Sequence, residues 1–113
     1  MELIDGAGAW AEPDATGATY AEQLRSADLS VGTYCLRAGA VDPQSPHDED
    51  EIYVVNAGRG SFTSGGRTVE ISAGSVLYVP AHEAHRFHDI TEDLALLVFF
   101  APPEGSRSQP LTE

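Results

Sequence analysis

The sequence predicts an all-β domain, a small sandwich or barrel, on three observations. Apolar segments of strand length recur along the chain, and several alternate with the period of two that is typical of strands. Gly and Pro residues separate these segments, as they do at turns. Helical character is confined to one weak stretch, which favours an all-β class. The 113 residues suit a single domain over residues 1–113 with a buried core.

The first part of the chain, residues 1–27, is predicted to be an irregular N-terminal arm. It is rich in Ala, Gly and Asp and shows no clear period, although residues 20–25 are compatible with one helical turn. Trp10 indicates that the arm packs on an apolar surface, either its own barrel or another copy.

The barrel core is predicted to span about residues 29–101. Its strand candidates are LSVGTYCLRAG (29–39), IYVVNAG (52–58), the hairpin GSFTSGGRTVEI (60–71), SVLYVP (75–80), AHRFHDI (84–90) and LALLVFFA (94–101). Ser64-Gly65-Gly66 supplies the hairpin turn, and the last, wholly apolar segment is expected to be buried on both faces. Residues 102–113 are polar and Pro-rich, which predicts a frayed tail.

Charge and composition exclude several classes of function. The net charge of -12 repels phosphate backbones and anionic lipid, so neither nucleic acid nor a membrane surface is expected as a partner. Cys35 is the only cysteine, which rules out an internal disulfide and a cysteine-rich zinc site. The chain begins without the features of a signal peptide, and its longest apolar run is too short to span a bilayer. A cytoplasmic location is therefore expected.

The stretch SPHDEDEIYVVNAG (45–58) joins an acidic run directly to a strand-like segment. On an extended strand, alternate residues share a face. One face then carries His47, Glu49, Glu51, Tyr53 and Val55. If this face is inside the barrel, the buried carboxylates need a cation, either an arginine or a metal ion. The alternative is a solvated acidic run that has no site.

A second cluster, VPAHEAHRFHD (79–89), holds three of the four histidines. Strand alternation places His85, Phe87 and Asp89 on one face and His88 on the other. His85 is either a ligand or a hydrogen-bonded core histidine. His82 follows Pro80 in a turn, and it is more simply a turn residue than a ligand.

The two stretches together resemble the motifs of the cupins, small barrels with a double-stranded β-helix or jelly-roll fold. The first cupin motif is G, five residues, H-x-H, three or four residues, E, six residues, G. Its positions fall here on Gly39, Ser45, His47, Glu51 and Gly58. The second is G, five residues, P-x-G, two residues, H, three residues, N. Its positions fall on Gly74, Pro80, His82, His85 and Asp89.

The resemblance implies a divalent metal held by His47, Glu51 and His85. Ser45 replaces the first histidine of the family motif, so a fourth ligand is missing, and water, Gln44 or His82 are the candidates for its place. Two histidines and one carboxylate suit Fe(II) or Zn, with Mn and Ni as further candidates.

A small-molecule pocket beside the metal is implied as well. Its candidate lining residues are Tyr34, Tyr53, Tyr78, Phe87 and Val98. The resemblance implies either a metal-dependent dioxygenase or isomerase, or a non-catalytic cupin that binds or senses a small ligand, because the fold alone does not decide between them. It also implies a homodimer.

Overall fold

The computed structural model describes residues 1–44 and 46–107, which fold as antiparallel β-structure. The described residues form six strands: β1 (Ala18–Arg25), β2 (Ser30–Leu36), β3 (Asp50–Ser64), β4 (Arg67–Ser72), β5 (Val76–Val79) and β6 (His85–Ala101). The strand order is β1-β2-β6-β3-β4, with β5 also paired to β3. The prediction of an all-β chain is confirmed. In the part of the chain described, no helix is long and apolar enough to cross a membrane.

The long strands β3 and β6 run through the whole fold and pair with each other along their length. Near one end Glu51 lies opposite Phe100, and near the other Ser64 lies opposite His85. Register shifts between Val55 and Ser61 mark where the pair bends. Gly58 permits this bend because it has a φ of 100°, and a Cβ there would lie 2.2 Å from the carbonyl oxygen of Asp93.

The register shifts divide the β3–β6 pair into two halves, and these two halves enclose one apolar core between them. Tyr53 comes from the first half of β3, Phe62 from the second half and Phe87 from the start of β6. Their rings meet with centroids 4.6 to 5.8 Å apart, distances typical of favourable aromatic contacts. Leu36, Leu94 and Leu96 add fully buried side chains. This core fixes the strand ends that carry the candidate site.

The β3–β4 hairpin agrees with its prediction. Ser64 pairs with Arg67, which leaves a two-residue turn of Gly65 and Gly66 with φ values of 55° and 78°. Two consecutive positive φ values are the requirement of a type I′ turn, which glycine meets without strain.

Two predicted strands, residues 84–90 and 94–101, are one continuous strand, β6. The polar residues between them, Thr91 to Asp93, are exposed on the outer face, so polarity here does not interrupt the strand. The predicted alternation fails at Asp89, which has a φ of 47°. Asp89 is exposed whereas the next residue, Ile90, is buried. Asp89 therefore does not share the inward face of His85 and Phe87.

The predicted helical turn at residues 20–25 is wrong. This segment belongs to β1, which pairs with β2 in the register Tyr20 to Tyr34. Tyr20 packs edge-on against the rings of Tyr34 and Phe100, and these tertiary contacts outweigh the weak local preference. The sheet consequently begins at Ala18 and not at about residue 29.

The N-terminal arm packs on its own barrel. The backbone N–H of Gly8 donates to Thr33 Oγ1 at 2.8 Å, and that of Ala11 to Cys35 Sγ at 3.4 Å. The arm therefore follows β2, and Trp10 is left about one-third exposed, at 37%.

Residues 102–107 are not the frayed tail that composition predicts. Glu49, which is 2% exposed, accepts hydrogen bonds from the backbone N–H groups of Gly105 and Arg107 at 3.1 and 3.0 Å. The backbone N–H of Glu104 donates to Ser30 Oγ at 3.0 Å. We call residues 102–107 the C-terminal strap. The rest of the predicted tail, residues 108–113, lies outside the described residues.

Candidate metal centre

The side chains of His47, Glu51 and His85 converge inside the barrel. His47 precedes β3, Glu51 is the second residue of β3 and His85 is the first residue of β6. One ligand atom from each of the three lies within 4.8 Å of the others. With metal–ligand distances of about 2.0–2.2 Å, one ion spans donor atoms roughly 4 Å apart, so small side-chain adjustments suffice.

Strand alternation at the start of β3 directs the carboxylate of Glu51 inward. Glu49, Glu51, Tyr53 and Val55 are buried, whereas Asp50 and Ile52 are exposed. The backbone of Glu51 is fixed from both sides, by Val79 of β5 and Phe100 of β6. A surface loop could turn such a carboxylate to water, but a central strand cannot.

The three converging groups are short of hydrogen-bond partners. Among the described residues, neither carboxylate oxygen of Glu51 has a hydrogen-bond donor, and the buried Nε2 of His47 is also unpaired. His85 Nε2 lies 3.2 Å from Glu51 Oε1, near enough for an ion pair but without hydrogen-bond geometry. A buried carboxylate normally has donors or a cation beside it. The pattern of unpaired atoms therefore fits a metal ion at their common centre.

The orientation of the His85 ring also suits a ligand. Its Nδ1 lies 2.9 Å from the carbonyl oxygen of Glu83, which can only accept, so Nδ1 carries a proton. In the neutral ring the lone pair then belongs to Nε2, the atom that faces Glu51. Burial disfavours the charged ring, but hydrogen bonding and the charge of Glu51 outweigh it and raise the pKa of His85. A cation is favoured at this position, whether a proton or a metal ion.

A hydrogen-bond network beside the candidate ligands is centred on Asp42, a residue that the sequence analysis missed. The buried Asp42 carboxylate accepts hydrogen bonds from Tyr34 Oη at 2.6 Å, from both nitrogens of Gln44 and from the backbone N–H of Phe87 at 2.9 Å. Because Gln44 Nε2 donates to Asp42, its Oε1 is left to accept from Tyr53 Oη at 2.6 Å.

Tyr53 connects this network to the candidate ligands, since its hydroxyl oxygen lies 3.1 Å from His85 Nε2. Burial, together with the charge of Glu51, raises the pKa of Tyr53 well above its usual value, so the hydroxyl keeps its proton. Gln44 thus has a defined role through Tyr53, although its own side chain is committed to Asp42 and Tyr53 and is not free to be a ligand. Asp42 lies in the loop between Gly39 and Pro43, where the sequence has no strand period that would predict a buried residue.

The other predicted site residues of the two motifs lie elsewhere. His82 is exposed and pairs with Asp48 at 3.2 Å, and its φ of 71° explains why the family pattern has glycine there. His88 interacts with Asp89 and Thr63 on the outer side of β6. Asp89 therefore holds the ring of His88 and not the ring of a candidate ligand. Ser45 lies outside the described residues.

Two of the three candidate ligands, His47 and Glu51, line a cavity of about 150 Å³. Its lining residues are Tyr20, Tyr34, Gln44, His47, Glu51, Val98, Phe100 and Glu104. Of the five predicted lining residues, Tyr34 and Val98 are therefore present. Tyr53 and Phe87 are fully buried in the core next to the cavity, and Tyr78 is 61% exposed on β5, away from it.

Tyr20 and Glu104 were missed as lining residues. The strand period around Tyr20 is weak, and Glu104 reaches the cavity only because Glu49 holds the C-terminal strap.

The comparisons with known proteins agree with this architecture. The cupin domain family matches residues 32–100. An uncharacterized protein of Streptomyces coelicolor is 50% identical over 95 residues, which cover 84% of this chain and 90% of that protein. An RmlC-like cupin from Desulfovibrio desulfuricans superposes with a TM-score of 0.77 at 24% identity, over 91% of this chain and 98% of that one.

Two further solved structures have similar folds. KdgF from Halomonas gives a TM-score of 0.71 at 22% identity, over 80% of this chain and 84% of that one. A predicted oxalate decarboxylase from Thermotoga maritima gives 0.65 at 24% identity, over 74% and 79%. These likenesses confirm the predicted jelly-roll fold. Because the family match spans more than half of the chain and the Streptomyces relative shares half of its aligned residues, the protein belongs to the cupin family.

Proposed function

We propose that this cupin binds one divalent metal ion through His47, Glu51 and His85 and uses it to bind a small molecule in the adjacent cavity. The observation that carries the proposal is the convergence of three ligand-type groups, two buried and one partly buried, in which both oxygens of Glu51 and Nε2 of His47 lack hydrogen-bond partners among the described residues. A hydrogen-bonded core histidine and a structural carboxylate would be expected to satisfy each other and their neighbours.

The donor set suits Fe(II) or Zn, with Mn and Ni as alternatives. One carboxylate offsets only half of the charge of a divalent ion, and three protein ligands leave coordination positions open. An ion held here would supply a Lewis acid that polarises an oxygen of the ligand, and iron would also supply redox chemistry. The hydrogen bond from His85 Nδ1 to the carbonyl oxygen of Glu83 directs Nε2 toward the site, as outer hydrogen bonds do at metal sites.

The volume of the cavity limits the substrate. At about 150 Å³ it is below the roughly 300–1,000 Å³ of sites for drug-sized ligands. We therefore expect a compact molecule, and a metal-dependent dioxygenase or isomerase of small compounds is the enzyme class that we propose.

A non-catalytic ligand-binding cupin is the second candidate, and one observation favours it. The polar groups around the metal are largely committed to each other, since Tyr34 donates to Asp42 and Tyr53 to Gln44. With Ser45 in place of the first motif histidine, the protein supplies three ligands where the family motif supplies four.

The metal assignment is tested by metal content after purification without added metal. His47→Ala, Glu51→Gln and His85→Ala should each weaken metal binding by at least about 100-fold, more than outer hydrogen-bonding partners typically do. His88→Ala is the matched control, because His88 is a partly buried histidine on the outer side of β6. Full metal occupancy in the His47 and His85 variants would show that the ligand assignment is wrong.

The choice between enzyme and binding protein needs a separate experiment. The iron-loaded protein should consume oxygen in the presence of one member of a panel of small substrates, or isomerise one of them. Stoichiometric metal and a bound ligand, with no turnover across the panel, would favour the binding protein.

A further inference from the structure

The cavity contains negative but no positive side chains. Two carboxylates, Glu51 and Glu104, contribute to its lining, together with uncharged polar groups and three aromatic rings. The chain has no lysine, and none of its arginines, all of which lie in the described residues, lines the cavity. Arg25, the arginine that contacts the strap, donates to the backbone carbonyl of Glu104 and pairs with Glu22.

Tyr20, one of the lining residues, has an uncommitted hydroxyl. Its Oη is closed off from solvent and has no hydrogen-bond partner among the described residues, in contrast to the hydroxyls of Tyr34 and Tyr53. The ring lies over Gly32, where a Cβ would come within 2.2 Å of the hydroxyl oxygen, and it is held edge-on by Tyr34 and Phe100. A buried hydroxyl without a partner is costly unless a ligand or water supplies one.

Glu104 is brought to the same cavity by the C-terminal strap. The backbone N–H groups of Glu104, Gly105 and Arg107 are anchored to Ser30 and Glu49, which fixes the strap on both sides of the Glu104 side chain. No described residue forms a salt bridge with the Glu104 carboxylate. Tyr20 and Glu104 both line the cavity. Burial raises the pKa of Tyr20, and the charge of Glu104 raises it further.

We propose that this cavity selects small ligands whose metal-distal part is neutral or cationic, and that Tyr20 and Glu104 are the residues that recognise this part. The inference rests on the proposed metal site. A divalent ion neutralises Glu51 and Glu104 together, so a ligand that donates one anionic group to the metal already leaves the site negative. A second anionic group would meet the Glu104 carboxylate in a cavity that no arginine lines, and like charges in contact oppose binding strongly.

Four hydroxamates test the inference, because they share one metal-binding head and differ in the tail. Glycine hydroxamate has a cationic tail, glycolhydroxamate a hydroxyl, acetohydroxamate a methyl group and malonomonohydroxamate a carboxylate. Dissociation constants are measured by calorimetry on the zinc-loaded protein, with zinc content measured before and after. The cationic and hydroxyl probes should bind at least about tenfold more tightly than the carboxylate probe.

Two conservative variants assign the residues. Glu104→Gln should reduce the preference for glycine hydroxamate over malonomonohydroxamate to within about threefold, because the repelling charge is removed. Tyr20→Phe should weaken glycolhydroxamate about fivefold, the loss of one hydrogen bond, and leave acetohydroxamate unchanged. Glu70→Gln, an equal change of charge on exposed β4, is the control and should alter neither.

The outcomes separate this inference from the proposed function. A protein that retains no zinc overturns both. A zinc-loaded protein that binds the carboxylate probe as tightly as the cationic one, or whose preference is unchanged in Glu104→Gln, overturns the inference alone.

Discussion

Glu49 holds the C-terminal strap against the barrel, and replacing Glu49 by glutamine should weaken this attachment. The carboxylate accepts two backbone hydrogen bonds, at 3.1 Å from Gly105 and 3.0 Å from Arg107. Hydrogen bonds to a charged group each contribute about 1.5–3 kcal/mol. The amide of glutamine keeps one acceptor oxygen, but its NH₂ group then faces the other backbone N–H.

The expected cost is therefore about 2–3 kcal/mol, the value of one charge-assisted bond plus the weakening of the other. The loss of stability should appear first as local opening of the C-terminal strap, because the strap is peripheral to the core. The amide of Arg107 should lose protection from hydrogen exchange by roughly 30–150-fold, since about 1.4 kcal/mol is a factor of ten. The free energy of global unfolding should fall by no more than the local cost.

Amide exchange followed by NMR, with urea unfolding in parallel, measures both quantities. Glu70→Gln is the control, because it removes the same charge from an exposed site, where an effect within about 0.5 kcal/mol is expected. Unchanged protection at Arg107 in Glu49→Gln would refute the reasoning, because it would mean that the two hydrogen bonds do not hold the strap.

Three further predictions follow from individual contacts. Glu51→Gln should abolish the stabilisation of about 2.7 kcal/mol expected at metal 100-fold above Kd, because it removes the one charged ligand of the site. A thermal shift assay with and without metal measures this, and a variant that metal still stabilises fully would contradict the metal assignment. Gly32→Ala should destabilise by about 1–3 kcal/mol, measured by urea unfolding, since its Cβ would meet Tyr20 Oη at 2.2 Å; an effect below about 0.5 kcal/mol would show that Tyr20 is not held there. His82→Gly should stabilise by up to about 1 kcal/mol by relieving a φ of 71°, and a clear loss of stability would mean that the contact with Asp48 matters more.

The sequence predicts those residues of the site whose direction is fixed by local strand geometry. Alternation at the start of β3 correctly indicated that Glu51, Tyr53 and Val55 face inward, since a central strand gives each residue one of two faces. Motif spacing then indicated which distant residues would join Glu51, and the structure brings His47 and His85 to it. Whether the three bind a metal stays a prediction.

The missed residues are those placed by long-range contacts or by unusual backbone. Asp42 lies in an irregular loop, and its importance follows only from the four groups that converge on it in three dimensions. Glu104 depends on a strap anchored to Glu49, 55 residues earlier in the chain, so composition alone indicated a frayed tail. Asp89 broke the predicted alternation because one residue with positive φ reverses the faces that follow.

The pairing of β3 with β6 has a consequence for folding kinetics. At one end of this ladder Glu51 lies opposite Phe100, nearly half the chain away, and such nonlocal pairing is associated with folding in milliseconds to seconds. The candidate ligands His47 and Glu51 lie at the start of β3 and His85 lies at the start of β6, so both strands must be in place before one ion can contact all three. We therefore expect a bound ion to slow unfolding while leaving the refolding rate nearly unchanged, because the chain must close before the ion can find all three donors.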